Sequence, residues 1–115
     1  MAKPFHVGVC GTGYWAEMVH LPTLLSTEDV VLGGLFRRSV SRGRELSERF
    51  QTAYFPDFDE LLENKDAISF VVPPDVQVDL ALRAVECGKH VLLEKPIATS
   101  QQKADVLVEA IEKKA

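Results

Sequence analysis

Cysteine is scarce in this chain. Cys10 sits in an apolar run and Cys87 beside Gly88, and no Cys-x-x-Cys spacing or histidine cluster suggests zinc. Both thiols read as buried and reduced. Long hydrophobic runs are missing too: nothing approaches the ~20 residues needed to span a bilayer, and the N-terminus lacks the apolar core of a signal peptide. The expectation is a soluble, cytoplasmic protein. Charge of one sign is also absent, since 13 Lys+Arg stand against 17 Asp+Glu for a formal charge of −4, without a long run of either. Neither nucleic acid nor an anionic membrane is favoured as a partner. No repeat, low-complexity tract or linker divides residues 1–115. At 46% hydrophobic content the chain suffices for one domain burying roughly two-thirds of its unfolded surface, without room for a second.

What is present is an alternation. Apolar runs bounded by turn residues exchange with stretches of helical periodicity, the signature of parallel strands joined by crossover helices. Strands are predicted at 5–10, 30–36, 53–55, 67–72 and 89–93. The first is Val-rich throughout, as a strand buried on both faces should be. Gly33-Gly34 inside the second hints that another backbone or a ligand approaches closely. Helices are predicted from 13 to about 25, with Pro22 ending or kinking the first, then at 41–50 and 58–64. Another follows Pro73-Pro74, capped by Asp75 and stopped by Gly88. The last runs from about residue 100, burying Ala104, Leu107, Val108 and Ile111 and closing on Lys113-Lys114. Phe50, Tyr54, Phe55 and Phe58 interleave with Leu61 and Leu62 and read as core. The fold class is α/β: a Rossmann-type, doubly wound, mostly parallel sheet with helices on both faces.

Three constellations could carry chemistry. Gly11-Thr12-Gly13-Tyr14-Trp15-Ala16 joins the first strand to the first helix. A tight turn and a nearby pyrophosphate both exclude a Cβ at Gly11 and Gly13, N–H groups from about Tyr14 onward make an anion site, and small Ala16 lets helix pack on strand. A glycine turn without a ligand has the same local form, and its place after the first strand of a βαβ unit favours the dinucleotide. At the end of the second strand an NAD site usually carries a carboxylate about 20 residues beyond the turn. Here stand Arg37, Arg38, Ser39 and Arg42, suited to a 2′-phosphate, so NADP is expected and NAD is the second choice. A solvated arginine loop is the plainer alternative. Glu94-Lys95-Pro96, finally, lies at the carboxyl end of the last strand, the edge where open α/β sheets bind ligands. Lys95 could give or shuttle a proton as hydride moves, and Glu94 could hold that ammonium or contact a ribose; a surface Glu-Lys pair fits the residues equally well.

The chain resembles the Gfo/Idh/MocA oxidoreductases on three features: Gly11-x-Gly13-x-x-Ala16, Pro73-Pro74, and the run Ala84-x-x-x-Gly88-Lys89-His90-Val91-x-x-Glu94-Lys95-Pro96. The resemblance covers essentially the whole chain, and the last run is its most specific part. It implies the N-terminal NAD(P)-binding domain of such an enzyme. By similarity Lys95 is the catalytic lysine and Pro73 and Pro74 line the nicotinamide end. Arg37, Arg38, Ser39 and Arg42 face the adenosine ribose phosphate, with Tyr14 and Trp15 shielding the pyrophosphate side or packing beside the cofactor. Two departures stand out. Gln77 occupies a position where the family often has histidine, which suggests a lost contact near the nicotinamide ribose. The family's α+β substrate domain, with its Asp and His, has no counterpart in these residues. His6, His20 and His90 read as structural or surface histidines instead.

The expected function is NADP(H) binding for hydride transfer to or from a sugar, polyol or related small molecule, with little turnover by this domain alone. Two alternatives are a free-standing NADP-binding or redox-sensing module acting through a partner chain, and a glycine-turn domain without nucleotide function. Self-association through exposed surface is open.

Overall fold

A computed structural model describes residues 3–11 and 13–114; Thr12 of the glycine turn lies outside the described residues. Four parallel strands, β1 (Phe5–Cys10), β2 (Val30–Phe36), β3 (Ala67–Phe70) and β4 (His90–Leu92), form one sheet in the order β2-β1-β3-β4. Parallel neighbours need crossovers, and helices α2 (Val40–Arg49), α3 (Phe58–Leu62), α4 (Pro74–Glu86) and α5 (Gln101–Lys114) follow α1 (Leu21–Ser26) along the chain. Because strand side chains alternate, β1 feeds two cores. Val9 joins Ala16, Leu21, Leu32, Leu35 and Leu46 on one face, under α1 and α2. Cys10 joins Phe58, Ile68, Phe70, Val78 and Leu107 on the other, under α3, α4 and α5. This is the doubly wound arrangement expected from the alternation. No helix among the described residues is long and apolar enough to cross a membrane.

Several boundaries differ from the sequence expectation, each for a local reason. Pro22 does not end the first helix. A π-helical turn at Ala16–His20 precedes α1, with the Leu21 N–H bonded to Ala16 O, so the wider turn accommodates a proline at the second position of α1. The stretch 53–55 is no full strand: a single parallel bridge, Leu35 to Tyr54, holds it beside β2, and Pro56 follows at once. Asp75 falls inside the first turn of α4 while Pro73 takes the cap position and Pro74 the first helical one, where a missing N–H costs nothing. Gly88 does stop α4. Its N–H bonds Val85 O and the Lys89 N–H bonds Ala84 O, the paired closure of a helix ending in a left-handed residue.

The close approach at Gly33-Gly34 comes from the protein itself. Pairing slips between Val7↔Leu32 and Gly8↔Gly34, leaving Gly33 as the extra residue of a bulge. The Lys65 stem lies against Gly33, and the Phe55 ring lies 2.3 Å from where a Cβ on Gly34 would stand. Lys65 is itself buried, its ammonium over the Phe55 ring, and desolvation lowers its pKa. Cys10 is buried as expected, and desolvation pushes its thiol up to about 12; Cys87 is not, because it caps α4 at the surface.

The last helix buries less than its periodicity suggests. Leu107 is sealed, Ala104 and Ala110 are half-buried, and Val108 and Ile111 are 45% and 38% exposed. α5 docks on α4, and a neighbouring helix covers a narrower stripe than a sheet does. The difference is measurable by urea unfolding. Leu107→Ala should cost about 2–5 kcal/mol, and Val108→Ala less than about 0.5 kcal/mol; equal losses would mean that α5 buries both.

Candidate functional site

The carboxyl ends of β1, β2 and β3 meet at Gly11. Its N–H bonds Phe36 O at the end of β2, and the Val71 N–H after β3 bonds Cys10 O, both at 2.8 Å. Gly11 adopts φ +97°, and a Cβ on it would stand 2.2 Å from the Val71 carbonyl oxygen. Only glycine serves there. Gly13 differs: it has nothing within 4 Å of a Cβ position, so its backbone faces open space. Its carbonyl accepts the Glu17 N–H at 3.1 Å as the helical path begins. Ala16 is fully buried against Val9, where a larger side chain would separate helix from strand.

Beside this turn lies a cleft of about 410 Å³ lined by Gly11, Gly13, Arg37, Arg38, Ser39 and Pro73, with Cys10, Phe36, Val71, Val72, Val76 and Leu80 forming its apolar parts. Both the size and an apolar lining with a few polar groups are usual for small-molecule sites. It opens between β1 and β3, where successive connections leave in opposite directions, the switch point of a doubly wound sheet. The Tyr54 hydroxyl donates to Arg37 O at 2.8 Å and fixes the backbone of the arginine loop. Sequence reading placed Tyr54 in the core and missed this contact.

Arg42 stands apart from that lining. Its guanidinium bonds Glu17 at 2.6 Å and Glu45 at 2.9 Å, and Arg49 also pairs with Glu17. The bond from Arg49, aided by Arg42, holds the Glu17 carboxyl below the usual range. The Arg38 side chain makes no ion pair or hydrogen bond among the described residues.

Glu94-Lys95-Pro96 forms a separate group on the turn after β4. Glu94 Oε1 accepts from Trp15 Nε1 at 3.1 Å and from His20 Nε2 at 2.9 Å. A carboxylate offers no proton, so that nitrogen carries one, and in neutral imidazole Nδ1 accepts the Ser69 hydroxyl at 2.7 Å. Glu94 is thus held by α1's π-helical approach and not by Lys95, whose exposed side chain has no partner among the described residues. His20 is a part-buried member of this chain of bonds. Tyr14 and Trp15 are 73% and 50% exposed, and Pro74 begins α4; with Ala16, Lys95 and Pro96 they lie outside the cleft lining. Gln77 is completely buried and bonds the backbone of the same turn. The periodicity of α4 gave no sign of this.

The Gfo/Idh/MocA family model, described as "Oxidoreductase family, NAD-binding Rossmann fold", matches residues 5–115. Oxidoreductase P35 of Formosa agariphila is 33% identical over 116 residues, 98% of this chain and 36% of the relative. A solved 3-ketoreductase from Actinomadura kijaniata in complex with NADP and TDP-benzene superposes with a TM-score of 0.90 at 28% identity, covering 97% of this chain and 35% of that one. UDP-N-acetylglucosamine 3-dehydrogenase from Acidithiobacillus ferrooxidans gives 0.91 at 27%, covering 98% and 36%. The chain spans about a third of the length of these relatives.

The two glycines of the turn should therefore answer differently to substitution. Gly13→Val, into open space, should leave thermal unfolding nearly unchanged and fill the mouth of the cleft. Gly11→Ala meets a carbonyl and a left-handed backbone, and should destabilise by at least about 1 kcal/mol. Similar melting curves for the two variants would contradict this geometry.

Proposed function

Because the chain belongs to the Gfo/Idh/MocA oxidoreductases and forms their NAD(P)-binding Rossmann domain, we propose that it binds NADP(H) in the cleft beside Gly11 and Gly13. The bare backbone at Gly13 fits a pyrophosphate, and N–H groups at the start of the helical path fit its charge. The observation that carries the choice of NADP is the far rim. Arg38 and Ser39 line it where an NAD site would present a carboxylate, and the Arg38 guanidinium has no acidic partner among the described residues. Arg38 takes the leading role at the 2′-phosphate, with Arg37 beside it. Arg42, already bonded to Glu17 and Glu45, contributes less.

Bound nicotinamide would supply the hydride donor or acceptor. This chain's own part in the chemistry is a proton held at Lys95 Nζ, given to or taken from a substrate oxygen, while Pro73 and Pro74 border the nicotinamide end. The substrate class proposed is a sugar, polyol or related hydroxyl or carbonyl compound, supported by the ketoreductase and sugar-nucleotide dehydrogenase to which the chain is similar. The 115 residues by themselves are expected to bind cofactor and turn over little, since the Lys95 side chain is exposed to solvent.

Titration with NADPH and NADH tests the cofactor assignment. NADPH should bind more tightly, and Arg38→Asp should flatten or reverse the preference by exchanging a cation for an anion; tighter NADH binding by the wild type would refute it. Lys95→Ala should leave unfolding and most NADPH affinity intact, yet lower kcat of the complete enzyme by ~10²–10⁴. Lys95→Arg should not rescue it, because guanidinium does not readily release a proton. Near-normal turnover in Lys95→Ala would reduce Lys95 to a surface residue.

A further inference from the structure

Gln77 is the one fully buried carboxamide of α4, and every polar atom of its side chain is directed to one turn. Nε2 donates to Glu94 O and to Ile97 O, each at 3.0 Å, and Oε1 accepts the Glu94 N–H at 3.0 Å. The amide thereby meets the N–H and C=O of Glu94 together, as a neighbouring strand would, two residues beyond the end of β4. No other hydrogen bond reaches the main chain of residues 94–97 among the described residues. A leucine would fill the same volume if packing were all that the position required. The Glu94 carboxylate, meanwhile, is drawn to Trp15 and His20, which leaves the adjacent Lys95 ammonium without an acidic neighbour to neutralise it.

We infer that Gln77 is a positioning residue, which holds the Glu94–Ile97 turn so that Lys95 stands at the nicotinamide end of a bound cofactor. This rests on the NADP(H) reading above. Gln77 is not among the residues that line the cleft, and its side chain bonds the turn and not the proposed reacting atoms, so it acts through the turn.

Two variants separate this role from simple stability. Gln77→Leu removes all three bonds at similar volume, and Gln77→Glu keeps the acceptor for the Glu94 N–H while losing both donors. The first measurement is hydrogen exchange of the Glu94 amide, which should accelerate about tenfold or more in folded Gln77→Leu, as expected for losing a buried hydrogen bond. Reductive methylation of Lys95 at saturating NADPH, followed by mass spectrometry, is the second. NADPH should slow modification of Lys95 in the wild type, and this protection should be lost in Gln77→Leu and weakened in Gln77→Glu although both still bind NADPH. Equal protection in wild type and Gln77→Leu would overturn the inference, as would unchanged exchange at Glu94. NADPH that binds the wild type without protecting Lys95 would overturn it too. If neither variant folds, Gln77 holds the fold and the positioning role is rejected. Absence of NADPH binding by the wild type is a separate outcome, which refutes the cofactor reading and takes this inference with it.

Discussion

The Val71 carbonyl oxygen occupies the place where a side chain on residue 11 would begin, 2.2 Å from the Cβ position. Much of the molecule's usable surface follows from that contact. It lets β1 and β3 run side by side to their carboxyl ends, with Val71 bonded to Cys10 and Gly11 to Phe36. The chain must then leave β1 through a left-handed residue. That exit opens a cleft between strands that would otherwise close on each other's side chains. The apolar floor, from Cys10, Phe36, Val72 and Leu80, belongs to the core; the polar rim comes from loops that the strands deliver there.

Charge is distributed with the same economy. Of the basic side chains near the end of β2, Arg42 is bonded to Glu17 and Glu45, and Arg49 to Glu17. These bonds tie α2 to the π-helical turn before α1. Arg38 is left toward the cleft. At the other edge Glu94 is tethered to Trp15 and His20, leaving Lys95 unneutralised. In both places a carboxylate is occupied by structural partners, and a neighbouring cation, Arg38 or Lys95, stands without an acidic partner among the described residues.

The alternation of strands and helices was legible in the sequence because β1 and β3 are mainly apolar and α4 keeps its spacing from Val78 to Val85. The cleft could be read from Gly11, Gly13 and the arginines, since the connection of β1 to β2 brings those segments to one edge. What escaped depended on contacts between segments distant in the chain. Val108 and Ile111 share the periodicity of Leu107, and only the docking of α5 on α4 distinguishes them. Gln77 looks like any polar residue in a helix until residues 94–97 fold over it. His20 gains its meaning from Ser69 and Glu94, 49 and 74 positions away. Arg42 matched the expected position along the chain, yet no local pattern shows that Glu17 lies within its reach.

The π-helical turn at Ala16–His20 amounts to one residue more than an α-helix would use over the same arc. Successive residues of an α-helix are about 100° apart around the axis, so in a regular helix one added residue would offset the phase of everything after it; the wider turn absorbs the addition instead. Ala16 faces Val9 before the turn and Leu21 faces the same core after it, while His20 between them turns toward Ser69 and Glu94. In a regular α-helix Ala16 and Leu21, five positions apart, would be turned about 140° from each other, so it is the wider turn that returns both to the core. The wider turn is therefore what reconciles the length of this segment with the two apolar contacts at its ends.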